Sequence, residues 1–119
     1  MHLMGSQAYM DRGTAYLMLG NQRQAFGDYN KAIELNPKYS GTYMDRGVAY
    51  DRLGNHKQAI TDFNKAIELN PKIPEAYNNR GVAYGKVGNK SREIDDRKKA
   101  ARLGHEPAQK FLRSQGISW

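Results

Sequence analysis

The chain contains no cysteine, which excludes a disulfide framework and any thiolate nucleophile or ligand. Histidine is scarce: His2, His56 and His105. None has a second histidine or a cysteine at metal-ligand spacing, so no metal site is expected. No glycine loop has the phosphate-cradling form. No catalytic constellation is visible, so neither an enzyme nor a cofactor is expected. No apolar run reaches the roughly 18 residues that a membrane-spanning helix needs, and no membrane partner is expected. Met1–Ser6 lacks both a charged n-region and a long apolar h-region, so no signal peptide is visible. Together with the missing cysteines this gives a cytoplasmic location as the expectation. Residues 1–5 read as a cloning scar or a disordered N-terminus.

What is present in excess is positive charge. The formal net charge is +7. From Gly88 onward, lysine and arginine outnumber aspartate and glutamate two to one. A basic end can attract acidic partners or nucleic acid. No base-stacking aromatics are interleaved with these charges, which favours a solvated outer face over nucleic-acid binding.

A 34-residue period dominates the sequence. Tyr9, Tyr43 and Tyr77 keep this step, as do Arg12-Gly13, Arg46-Gly47 and Arg80-Gly81. So do Tyr16, Tyr50 and Tyr84, followed by Gly20-Asn21, Gly54-Asn55 and Gly88-Asn89. Residues 30–38 and 64–72 both read NKAIELNPK. Such a period means stacked units, each too small to bury its own apolar face.

Within a unit the spacing is helical. Tyr9, Arg12, Gly13 and Tyr16 share one face at 100° per residue. Gly20-Asn21 then ends the helix. A second helix carries Ala25, Tyr29, Ala32 and Ile33 on one side. Asn36-Pro37 stops it, because proline lacks an amide hydrogen and restricts the residue before it. The next unit gives helices over 40–53 and 56–69, and the third starts at Pro74. Glycine inside a helix costs about 1 kcal/mol relative to alanine. Gly13, Gly47 and Gly81 therefore mark close helix–helix approach, with Ala25 and Ala59 as partners and Tyr29 and Phe63 filling the gap above. Asp28, Asp62 and Asp96 recur with the arginines, which predicts a register-setting ladder of Arg–Asp pairs, either within a unit or across the junction between units.

The pattern Tyr9-x2-Arg12-Gly13-x2-Tyr16, Ala25-x3-Tyr29, Pro37 resembles the tetratricopeptide repeat (TPR) family. Its second copy is Tyr43-x2-Arg46-Gly47-x2-Tyr50, Ala59-x3-Phe63, Pro71. The resemblance covers roughly residues 6–105, with tyrosine where the family often has tryptophan and arginine where it often has leucine. It implies an all-α solenoid, a right-handed superhelix of antiparallel helix pairs whose first helices line a concave groove. The expected units are 6–39, 40–73 and a degenerate 74–105, then a capping helix over 106–115 and a tail over 116–119.

The third unit departs from the pattern. Glu93 stands in place of Ala25 and Ala59, and Arg97 in place of Tyr29 and Phe63. An unpaired buried carboxylate costs several kcal/mol, and overpacking adds about 1–3 kcal/mol. The expectation is an open site on a frayed or solvated helix, with Glu93 and Arg97 pairing on its surface. The alternative is that these two residues form an assembly surface. Ala108, Phe111 and Leu112 give the last helix an apolar side. Gly116 should end it, with Ile117 and Trp119 folding back.

The surface opposite Tyr9 and Tyr16 is the candidate groove. It comprises Met10, Asp11, Thr14 and Met18, then Met44, Asp45, Val48 and Arg52, then Asn78, Asn79, Val82 and Lys86. In similar proteins this surface holds extended or helical peptides. Asp11, Asp45 and Asn79 share a row, and aspartate only accepts hydrogen bonds. This row favours ligands with basic or amide-donor groups, over an adaptable methionine floor. The family's best-known specificity is a Lys/Arg/Asn clamp for chaperone C-terminal carboxylates. The matching inner positions here are Met10, Thr14, Asp45, Glu75 and Asn79, so a chaperone tail is not expected to bind. The leading expectation is a module for an unidentified peptide or protein. Self-association through the third unit or the array ends comes next, and nucleic-acid binding last.

Overall fold

A computed structural model describes residues 4–119. His2 and most of the 1–5 segment lie outside the described residues. The described residues form seven helices and no strand. They are α1 (Ser6–Met18), α2 (Gln22–Leu35), α3 (Ser40–Arg52), α4 (His56–Leu69), α5 (Pro74–Lys86), α6 (Lys90–Arg102) and α7 (Glu106–Ser114). Each odd-numbered helix up to α5 packs on the helix that follows it. The result is an array 56 Å long and 25 by 20 Å across.

Helix ends follow local chemistry. At Gly20, Gly54 and Gly88 φ lies between 83° and 86°, a region that side chains with a Cβ avoid. The amide after each glycine then reaches back to a helix carbonyl, as in Asn21 N to Tyr16 O at 2.8 Å. This is the Schellman arrangement. The same device closes α7, where Ile117 N donates to Leu112 O at 2.9 Å. Ile117 packs on the core beside Leu112 and Tyr77, as expected of a residue following a helix-ending glycine.

The close approach inside each pair is real. A Cβ on Gly13 would lie 3.0 Å from the Tyr29 ring and 3.1 Å from the Ala25 carbonyl; on Gly47 it would lie 2.7 Å from the Phe63 ring. The aromatic ring thus rests on the glycine itself rather than above it. Apolar burial is divided among three clusters: Ala25, Tyr29 and Ala49; Ala59, Phe63 and Ala83; and Tyr77, Ala100, Ala101, Ala108 and Leu112. Each cluster joins one unit to the next, so cohesion is a nearest-neighbour property.

The ladder also forms. Arg46 Nε and Nη2 donate to Asp62 Oδ2 and Oδ1, both at 2.8 Å. Arg12–Asp28 and Arg80–Asp96 repeat this fork, the geometry in which guanidinium and carboxylate match best. Each pair lies within one unit, but the arginine also reaches backwards. Arg46 Nη1 donates to Asn30 Oδ1 and Arg80 Nη1 to Asn64 Oδ1, each at 2.9 Å. Each guanidinium sits between two tyrosine rings of its own helix, Tyr43 and Tyr50 for Arg46. Tyr43 and Tyr77 add bonds from their hydroxyls to the preceding Pro37 and Pro71 carbonyls.

The third pair corrects the expectation of an open, frayed site. Helix α6 is complete, and Glu93 is only 8% exposed. Three features make this tolerable. Arg97 Nη2 donates to Glu93 Oε2 at 3.0 Å. The carboxylate occupies the space above Gly85, where a Cβ would lie 2.7 Å from it. The Arg97 guanidinium lies 3.6 Å from the centroid of the Phe111 ring on α7, a cation–π contact. The pair is therefore buried between α5, α6 and α7 rather than displayed on a helix surface.

Candidate functional site: the inner face of α1, α3 and α5

Helices α1, α3 and α5 touch one another directly, whereas α2, α4 and α6 make no comparable mutual contact. The first helices are therefore the more closely spaced layer, and the array curves with their free face inside. Most residues expected in the groove belong to this face, with one clear exception. Met10 is 4% exposed. Thr42 of α3 covers it and donates from Oγ1 to its sulfur at 2.9 Å. Met10 is thus part of the α1–α3 contact and no part of a methionine floor. Met44 and Val48 are half-buried against the Phe63 cluster. Met18 is 76% exposed at the groove's edge.

The junction between the first two units holds a dent on this inner face. A cavity of about 210 Å³ is lined by Thr14 and Leu17 of α1, Tyr29 of α2, and Asp45, Val48 and Arg52 of α3. Tyr29 reaches through from the outer layer, and its hydroxyl and that of Thr14 share a 2.8 Å hydrogen bond. Burial pushes the Tyr29 hydroxyl up in pKa, and the Thr14 bond partly offsets this. Burial, and then the charge of Asp11, push the Asp45 carboxyl above the ordinary aspartate range. Among the described residues neither Asp45 nor Arg52 has an ion-pair partner.

The next junction has the same backbone and different chemistry. Val48, Phe63, Asn79 and Lys86 stand where Thr14, Tyr29, Asp45 and Arg52 stand one unit earlier. The hydroxyl pair is gone. Lys86 Nζ is held by Asp51 Oδ2 at 2.9 Å, and Asp51 Oδ1 meets His56 Nδ1 at 2.6 Å. Asn79 and Val82 are half-buried. The Asn78 side-chain oxygen is buried without a hydrogen-bond partner among the described residues.

Tyr29 packs as its spacing implies, 1% exposed against Gly13, and adds a hydroxyl to the cavity lining that spacing did not predict. A signal for it existed: the hydroxyls of Thr14 and Tyr29 disappear together in Val48 and Phe63. Glu93 and Arg97 require a correction. With side chains 11% and 14% exposed and packed under α7, they form no open assembly surface.

Three family models match the chain, described as tetratricopeptide repeat over residues 6–39 and 28–61 and as TPR repeat over 51–88. No curated protein sequence matches it. Among solved structures, the first TPR of Spaghetti (RPAP3) bound to the HSP90 peptide SRMEEVD is 26% identical. The match covers 93% of this chain and 91% of that one, with a TM-score of 0.85. The Arabidopsis OM64 TPR domain is 27% identical over 93% of this chain and 96% of its own, with a TM-score of 0.83. MamA is 30% identical over 88% of this chain and 61% of its own, with a TM-score of 0.80. With the 34-residue step, the glycine-seated aromatics and the paired helices all in place, the chain belongs to the tetratricopeptide repeat family.

Proposed function

We propose that the chain is a non-enzymatic interaction module that holds a peptide, or an exposed segment of a protein, against the inner face of α1, α3 and α5. The observation that carries this reading is the inner-face cavity itself. It is lined by three helices from two units and furnished with a hydroxyl pair and two charges that have no ion-pair partner among the described residues. A relative of the same fold binds an HSP90 peptide, which supports the use of such a face for peptides. The ligand class differs here. A C-terminal carboxylate needs convergent cationic donors, and Met10, Thr14, Asp45, Glu75 and Asn79 supply none.

Panning a phage-displayed random peptide library against the protein tests the proposal. Enriched peptides should lose binding to Val48→Lys, which places a charge on the groove floor, and keep it for Lys57→Ala on α4. In fluorescence anisotropy the peptide SRMEEVD should show no saturable binding. Enrichment that ignores Val48→Lys would place the ligand elsewhere and overturn the proposal.

A further inference from the structure

The cavity at the first junction has a negative end and a positive end. Asp45 and Arg52 are seven residues apart on α3, which places them on one face about 10 Å apart along the axis. Asp11 reinforces the negative end electrostatically, and Arg52 acts on the Tyr29 hydroxyl with sign opposite to Asp45. The Thr14–Tyr29 hydroxyl pair lies in the same lining, with Leu17 and Val48 as its apolar part. The second junction is the internal control. There the aspartate is Asn79, and the cation, Lys86, is already neutralised by Asp51. Among the described residues the first junction thus keeps its two opposite charges without an ion-pair partner, whereas at the second the equivalent positions are a neutral Asn79 and a paired Lys86.

We infer that the first junction selects peptides carrying a basic and an acidic side chain about three residues apart, the base seated at Asp45 and the acid at Arg52. The spacing follows from an extended chain in the polyproline II form, which advances about 3.1 Å per residue and returns to the same face every three residues, covering about 9 Å. A lysine or arginine stem would lie on Leu17 and Val48 with its charged head at Asp45, as long cationic side chains do on apolar surface. The inference rests on the groove reading above and adds the ligand's charge pattern to it.

The test uses the peptides enriched by the library and isothermal titration with the strongest of them. Enriched sequences should share a Lys/Arg and an Asp/Glu three residues apart. The strongest peptide should bind Asp45→Asn roughly tenfold more weakly, the scale of one charge-assisted hydrogen bond. It should lose more on the double variant Asp45→Lys/Arg52→Glu. Exchanging the peptide's own two charges should restore binding to that double variant and abolish it for the unaltered protein. Peptides that are lost on Val48→Lys but carry no such charge pair, or ignore the double variant, would overturn this inference and leave the groove reading standing. A library that yields nothing sensitive to Val48→Lys would overturn both.

Discussion

The first two helix pairs and the third reach the same close packing by opposite chemistry. In the first two, a glycine on one helix receives an aromatic ring from the next, Gly13 with Tyr29 and Gly47 with Phe63. In the third, the ring is replaced by Arg97, the neighbouring alanine by Glu93, and the side chain opposite by Gly85. The glycine whose Cβ would collide is still present at Gly81, now facing Glu93 O and Asp96 Cβ at 3.1 Å. Backbone proximity is thus the invariant of the fold. What fills the space beside it can be a ring, or an ion pair capped by Phe111, provided that volume and charge are both balanced.

The comparison can be broken most severely at the apolar end. Phe63 is 1% exposed, and Phe63→Ala should cost about 3–5 kcal/mol in urea unfolding. The ionic pair should follow closely. Arg97→Ala strands a buried carboxylate whose remaining cation, Lys90, is 3.5 Å away and mostly exposed. Its cost should fall near the low end of the roughly 3–5 kcal/mol seen when a buried pair loses one partner. The double change Glu93→Ala/Arg97→Phe restores the chemistry of the second pair. It should be less destabilising than Arg97→Ala alone, since buried pairs are often replaced by apolar residues without loss. A double variant weaker than Arg97→Ala would show that the two solutions are not interchangeable.

Gly85→Asp sharpens the same point, because aspartate is the residue of the second unit at that position, Asp51. Alone it should collide with the Glu93 carboxylate and cost about 1–3 kcal/mol. In the Glu93→Ala/Arg97→Phe background most of that cost should vanish, as expected of directly coupled neighbours. The ladder offers a milder contrast. Arg46 is 21% exposed in its side chain and Arg12 46%, because no preceding asparagine covers Arg12 among the described residues. Arg46→Met should therefore lower the melting temperature more than Arg12→Met.

The smallest effect is expected at the groove. Because the folded state raises the Asp45 pKa, ionisation of Asp45 opposes folding. Its favourable contribution is present below the unfolded-state pKa and is lost as pH rises through the folded-state pKa. Asp45→Asn should consequently raise the melting temperature slightly at pH 7. The gain should shrink to nothing as the pH is lowered through the aspartate range. A gain that persists in acid would assign the effect to something other than charge.

Much of the molecule was legible from residue spacing. The helices expected over 40–53, 56–69 and 106–115 are found at Ser40–Arg52, His56–Leu69 and Glu106–Ser114, because the glycines and prolines that punctuate them constrain the backbone locally. The Arg–Asp ladder was legible as well, because both partners recur with the same step. The bidentate fork and the backward bond to Asn30 or Asn64 were not. The site was less legible than the fold. Met10 has an inner-face position, yet Thr42, 32 residues later, buries it. Glu93 looked unburiable because its partner space comes from Gly85 on another helix, and its partner's stacking surface comes from Phe111 on a third. Tyr29 looked like packing and is 1% exposed, yet its hydroxyl bonds Thr14 beneath the groove.

By itself the sequence determined the repeat, the helices, their punctuation and which residues are equivalent from unit to unit. These depend on interactions within a few turns or on a strict period. Tertiary structure alone decided which equivalent positions are covered and which are open. It also decided which charges find partners and, among the described residues, where opposite charges stay without an ion-pair partner at the first junction. Those outcomes depend on what three separate helices present to one small volume, and a one-dimensional period carries no record of that volume.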